Sequence, residues 1–262
     1  MKTKRSWIAF ARGIAGVVVV LVIWQVFALS GMFSTAMTPP LGSIAVIMWR
    51  MIADGTLLDN TIATIVRVFI GLSISFAIAI PLGVLMARYW VAERIFNPVL
   101  SVLLPIPSLA WVPLFILWFG IGDRATIVVV IYASSFPMIY AVWAGVRAVN
   151  PIWLRAAIVM GADEMTLFRK VIWPGTLPYI ITGLRLSFGR AWIGVIGGEL
   201  LASPKLGLGE IIFNAKEFLD SGVMLSTLIA IGAIGVFFER FVFQRLESLT
   251  VRRWGMVSGP TT

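Results

Sequence analysis

The 262-residue chain contains no cysteine and no histidine. Without cysteine there is no disulfide, no thiolate metal site and no cysteine nucleophile; without histidine the commonest metal ligand, general base and proton relay is gone as well. These absences argue against an enzyme. Charge is also scarce. Asp, Glu, Lys and Arg make up 13% of the residues against roughly a quarter in an average soluble domain, whereas 60% are apolar. Water cannot cover that much apolar surface, so the solvent expected around this chain is lipid.

What is present is a series of apolar runs of bilayer length. A span needs about 20 mostly apolar residues at roughly 1.5 Å each to cross a hydrocarbon core of about 30 Å. Six stretches qualify: 13–29, 68–87, a stretch within 95–122, 125–146, 186–201 and 223–238. The fold class expected is therefore an all-α membrane protein of about six transmembrane helices. The basic start, Met1-Lys2-Thr3-Lys4-Arg5, has the front of a cleaved signal peptide. Because the apolar run that follows reaches Leu29, an uncleaved first span is the preferred reading.

The 21 Lys and Arg against 12 Asp and Glu give a net charge of +9, which in a soluble protein would point to nucleic acid. In a multi-spanning protein the explanation is simpler, because basic residues flanking spans stay on the cytoplasmic side during insertion. With the N-terminus inside, the inner segments 1–12, 88–94, 147–185 and 239–262 carry +10 and the outer segments −2. Both termini are expected in the cytoplasm of a bacterial inner membrane, and no nucleic acid is expected as a partner.

The inner segment 147–185 is far longer than the other inner loop and mixes charge with apolar residues at helical spacing. Ile152, Ala156, Val159 and Met160 can form one stripe, with Arg155, Asp163 and Glu164 around it. That pattern predicts a short interfacial helix. A connector lying on the membrane with no further role fits the pattern as well. Gly161 also has two readings: a small residue that lets another backbone approach, or a helix C-cap needing positive φ.

Arg155-Ala156-Ala157-Ile158-Val159-Met160-Gly161, followed after nine residues by Val171 and then Trp173-Pro174, resembles the cytoplasmic signature of ABC importer permeases. Arg155 stands where that family usually has Glu, and Trp173 where it usually has Leu. Ile80-Pro81-Leu82-Gly83, Pro105-Ile106-Pro107, Leu117-Trp118-Phe119-Gly120-Ile121-Gly122, Gly183-Leu184-Arg185 and Gly207-Leu208-Gly209 resemble the branch serving nitrate, sulfonate, taurine and bicarbonate. The resemblance covers about 55–238. It implies a type I ABC importer permease fold, with a first helix and outer loop in 1–54, the permease domain in 55–245 and a cytoplasmic tail in 246–262.

The resemblance also implies that Arg155, Ala156, Ala157, Gly161, Ala162, Asp163, Phe168 and Pro174 seat the loop on a cytoplasmic ATPase. A second permease copy, as a homodimer, and an external solute-binding protein are the other partners it implies. No stretch reads Gly-x4-Gly-Lys-Ser/Thr, so the phosphate cradle for ATP and its Mg must lie on the partner, and no cofactor is expected in this chain.

Charges inside spans cost on the order of 2.5 to 3.5 kcal/mol each and usually face a cavity or a partner. Arg67, Arg190 and Glu199 qualify, with Pro105 and Pro107 as a helix break that can bare backbone polar groups to a pathway. These five are the candidate solute-pathway residues. Arg190 and Glu199 lie half a turn out of phase on one helix and cannot pair with each other, so each needs another partner, water or the solute. Arg67 and Glu199, nearer the outer surface, can also snorkel. The rival reading is a proton- or ion-coupled secondary carrier, which should show internal repeats or an acidic site near the midplane; neither is visible. The solute implied by the resemblance is a small anion.

Overall fold

The computed structural model describes the backbone of residues 2–250 and the side chains of residues 15–247. All regular structure among the described residues is helical. Most of the proposed tail 246–262, and the basic residues of 1–12, lie outside the described side chains. The chain opens with α1 (Lys2–Leu29) and α2 (Leu41–Ala53). Trp24 Nε1 donates to the Pro39 carbonyl, and Leu41 N to Gln25 Oε1, which fix the corner between these two helices. The Val17–Val22 side chains of α1 are exposed, as expected of a helix bathed in lipid.

The centre of the molecule is three long helices: α3 (Thr56–Arg88), α6 (Asp123–Arg147) and α9 (Trp173–Ala202), with α6 packed between the other two. Lipid supplies no hydrophobic force between helices, so they associate through close packing at small residues. A Cβ on Gly71 would stand 2.4 Å from Val130 Cγ1, one on Gly83 2.8 Å from Val142 Cβ, and one on Gly183 2.5 Å from Ala141 Cβ. The first two contacts rise together along α3 and α6, which are therefore parallel. Gly183 on Ala141 and Gly194 on Ala133 run in opposite senses, so α9 is antiparallel to α6.

The expected stretches 13–29, 68–87, 125–146 and 223–238 fall on α1, α3, α6 and α11 (Ser221–Phe237). Two others differ from the sequence reading. The 95–122 stretch is not one straight helix but α4 (Trp90–Leu103), a 3-10 turn at Ser108–Trp111 and α5 (Val112–Phe119), bent by 90° at the break. Pro105 and Pro107 lie in this break; neither has an N–H to continue a helix, and the Leu103 carbonyl left at its edge accepts from Tyr132 Oη at 2.8 Å. The 186–201 stretch is only the second half of α9, which starts at Trp173, so the connection begun at 147 ends there rather than at 185. A π-helical turn at Phe168–Ile172 joins the short helix Glu164–Leu167 to α9 without a break, so Pro174 follows helical residues rather than a free helix start.

Short helices complete the chain: α7 (Pro151–Val159) and α8 (Glu164–Leu167) between α6 and α9, α10 (Leu208–Glu217) before α11, and α12 (Gln244–Thr250) after a π-helical turn at Phe238–Phe243. Arg147 Nη1 meets Glu93 Oε1 at 2.8 Å, and Arg88 Nη2 meets Glu164 Oε1 at 2.5 Å. Arg185 binds Glu239 and Glu247. These contacts place the segments 88–94, 147–172 and 239–247 at one end of the bundle, the α7 end. Asp123 and α10 lie at the other.

Candidate functional site

The loop that carries the alanine-glycine motif is a rigid two-helix hairpin. Pro151 presets the first turn of α7, and Asn150 Oδ1 caps it by accepting from Ile152 N at 2.8 Å. The helix ends in a left-handed turn: Gly161 has φ +79°, its N–H donates to the Ile158 carbonyl at 2.9 Å and the Ala162 N–H to the Ala157 carbonyl at 3.0 Å. This six-to-one and nested shorter bond are the Schellman closure that favours glycine. Gly161 is thus a C-cap; a Cβ there would meet nothing within 4 Å, so it is conformation, not crowding inside this chain, that calls for glycine.

Asp163 then caps α8, its Oδ1 accepting from Thr166 N at 3.3 Å. Hydrogen bonding from the Thr166 side chain and N–H holds the Asp163 carboxyl below its ordinary range. Phe168 and Trp173 lean on each other at 6.2 Å between ring centres, bracing the hairpin against the start of α9.

The apolar stripe does not lie on the rest of the fold. Ile152, Val159 and Met160 are 69%, 86% and 80% exposed, with Arg155 and Ala156 beside them also exposed; Ala157 alone faces inward. Arg155 makes no ion pair among the described residues. Arg155, Ala156, Gly161 and Asp163 are exposed on the hairpin, whereas Ala162, Phe168 and Pro174 are half-buried.

Behind the hairpin, α6, α7 and α9 enclose a groove of about 730 Å3. Tyr140 and Pro137 line one wall, Tyr179, Thr182 and Leu186 the other, and Trp153 the foot. Nothing in the sequence had singled out Tyr140, Tyr179 or Trp153, because an aromatic in an apolar run reads as core.

The intramembrane charges separate into two kinds. Arg67 and Glu199 do not snorkel: their side chains are 7% and 0% exposed and bonded to each other, Arg67 Nη1 to Glu199 Oε1 at 2.6 Å. Arg67 also reaches Asp123 through Nε at 2.9 Å. Glu199 accepts further from Thr64 Oγ1 and from Gly209 N, both at 2.9 Å, and Gly207 N donates to Asn60 Oδ1 at 2.6 Å. Four segments are locked here around one carboxylate. The Gly207-Leu208-Gly209 motif has its reason in this contact, since a Cβ on Gly207 would stand 2.6 Å from Glu199 Cδ and one on Gly209 2.5 Å from the Ile196 carbonyl.

Arg190 is the contrast. It is exposed on α9 and makes no ion pair or hydrogen bond among the described residues. Pro105 and Pro107 lie in the helix break towards the α10 end, where Leu109 of the adjoining 3-10 turn covers Gly197 so closely that a Cβ there would stand 2.0 Å from Leu109 Cδ2. No group of three His, Cys, Asp or Glu among the described residues is placed to hold a metal ion.

Comparison with known proteins places this architecture. Residues 79–248 match the family model described as the binding-protein-dependent transport system inner membrane component. A putative ABC transporter permease of Methanocaldococcus jannaschii is 37% identical over 190 residues, 72% of this chain and 71% of that protein. The taurine transport system permease of Escherichia coli is 31% identical over 226 residues, 84% and 82% of the two chains. The bicarbonate transport system permease of Synechococcus elongatus is 30% identical over 239 residues, 87% and 85%. Among solved structures, an inward-facing MetNI methionine ABC transporter shares the fold, with a TM-score of 0.65 at 21% identity over 74% of this chain and 96% of that one.

Proposed function

Since this chain belongs to the family of inner-membrane components of binding-protein-dependent transport systems, we propose that it carries a small anion across the membrane and takes its drive from a cytoplasmic ATPase through the α7–α8 hairpin. It is a multi-pass permease subunit of an ABC importer. The observation that carries the coupling role is the hairpin itself: a capped, rigid element whose apolar stripe is turned away from its own fold. A short helix braced at its base moves as a lever when a partner grips it.

In this reading the α7 end is cytoplasmic. Ile152, Ala156, Val159 and Met160 seat in a cleft on the ATPase, with Arg155 and Asp163 at the rim, and ATP with its Mg binds on that partner. ATP binding draws the hairpins of two permease copies together and opens the pathway outward to an external solute-binding protein; hydrolysis returns it to the inward-open state. Arg67 and Glu199 serve as a lock that holds α10 and the 203–209 loop to the bundle, rather than as solute contacts. The anion reading draws on the relatives that carry taurine, aliphatic sulfonates and bicarbonate.

The test is purification of the chain with the products of its neighbouring genes, followed by ATPase assay of the complex. A stoichiometric ATPase whose turnover rises on adding solute-loaded binding protein is expected. A stable permease with no ATPase partner would count against coupling through the hairpin and favour the secondary carrier.

A further inference from the structure

The groove behind the hairpin ends, on its α9 wall, at Leu186. Arg190 is one turn farther along the same face, because residues four apart on a helix lie one above the other. One and two turns beyond it, a Cβ on Gly194 would lie 3.8 Å from Ser108 Oγ and Gly197 is covered by Leu109, while the neighbouring Ile193 stays 66% exposed. Arg190 therefore stands exposed one turn past the last α9 residue that lines the groove, short of the 3-10 turn over Gly197. A long helical side chain leans towards the helix N-terminus, and for α9 that direction is towards the groove. Its position is deep, about 18 Å from the Ala202 end at roughly 1.5 Å per residue.

A guanidinium at that depth is costly without an acceptor, and none of the described residues pairs with it. Glu199 is fully buried against Arg67, and Glu239, towards the α7 end, is held by Arg185. We propose that Arg190 is the residue that selects the solute, receiving a small oxyanion (a sulfonate or a bicarbonate-like group) at the head of the groove. Its planar fork matches two oxygens of such a group, and the aromatic walls of Tyr140 and Tyr179 would pass the apolar remainder. This rests on the permease reading and adds to it the residue and the charge class.

Two measurements test it on the purified permease–ATPase complex. Phenylglyoxal modification, followed by peptide mass spectrometry, is run with methanesulfonate, with its neutral isostere dimethyl sulfone, or with gluconate alone at constant ionic strength. Arg190 is expected to be protected at least threefold by methanesulfonate and not by dimethyl sulfone, with Arg124, exposed at the opposite end of the bundle from the hairpin, unprotected by either. Equal modification of Arg190 under all three conditions overturns the proposal. In proteoliposomes, Arg190→Gln is expected to lower uptake of the anion supplied by the binding protein at least tenfold, and Arg190→Lys to keep most of it; wild-type uptake in Arg190→Gln overturns the proposal too. Stimulation of the wild-type ATPase by the binding protein is scored separately. Its absence would remove the importer reading while the protection result still decides whether Arg190 binds the anion.

Discussion

Arg67 and Glu199, 132 positions apart in the chain, meet at 2.6 Å inside the bundle with the carboxylate wholly shielded from solvent. Two charges taken out of water are costly, and they are tolerated here because each is saturated: the guanidinium by Asp123 as well, the carboxylate by Thr64 and the Gly209 N–H. The pair is a lock between α3, α9 and the segment leading to α10.

Removing one member should therefore cost more than removing both. Arg67→Met alone leaves a buried carboxylate without its countercharge, for which about 3 to 5 kcal/mol is expected. The double variant Arg67→Met/Glu199→Leu leaves an apolar contact and should recover much of that loss. Thermal unfolding of the detergent-purified protein checks this. A double variant less stable than either single one would mean the two residues act independently.

Much of the lock was out of reach of the sequence. Arg67 and Glu199 stood out as intramembrane charges, but a partner on another helix is a fact of packing, and proximity to a helix end made snorkelling the simpler reading. The apolar runs at 68–87 and 125–146 marked their helices because hydropathy at bilayer length has few other meanings. The run of helix through the π-helical turn at Phe168–Ile172 into α9 was hidden because Pro174 and Pro178 lie in its path and a proline inside a helical pattern signals a break. The 90° break at Pro105 and Pro107 was legible as a cluster of residues without N–H groups; its direction was not. The left-handed Gly161 was one of two readings open to a glycine after a helical stripe, and it took the Ala162-to-Ala157 hydrogen bond to show the C-cap.

The hairpin is tied to the bundle by Arg88 and Glu164, 2.5 Å apart, with Glu164 84% exposed. A pair this open contributes at most about 1 kcal/mol to stability, so its loss should leave the fold intact. Its effect belongs in coupling, because it links the end of α3 to the base of α8. Glu164→Arg is expected to lower the uptake achieved per ATP hydrolysed about two- to fivefold with no change in melting temperature. Arg88→Glu in the same protein should restore it. Unchanged uptake per ATP in the single variant would leave the pair without a part in transmission.

Asp163 gives the hairpin a pH dependence of known sign. Its carboxyl is held below the ordinary range by Thr166, so the folded form binds its proton less readily than the unfolded one. The stabilisation is fully present above the unfolded value, about 3.9, and is lost as pH falls through the lower folded one. Near neutral pH the cap is intact. Asp163→Asn, which also caps a helix, should therefore behave as wild type at pH 7, whereas Asp163→Ala should loosen α8. Amide hydrogen exchange over 163–168 reads the difference; faster exchange in the Asn variant would contradict it.

Gly161 separates backbone conformation from docking space. At φ +79° a β-branched residue is strained by about 1 to 3 kcal/mol, while asparagine tolerates the left-handed region. No atom of this chain comes within 4 Å of a Cβ there, so within the permease alone the two substitutions should differ only through the backbone. Gly161→Val is expected to unwind the Schellman turn and to abolish uptake driven by ATP while the protein still inserts. If the turn's conformation is all that coupling requires, Gly161→Asn keeps uptake near wild type. If the open space is filled by the ATPase, Gly161→Asn loses uptake as completely as Gly161→Val while its hydrogen exchange over 151–162 stays that of the wild type. Uptake per ATP and hydrogen exchange, measured on the same two variants, assign the glycine to its turn or to its partner; normal coupled uptake in Gly161→Val would count against the hairpin as the coupling element altogether.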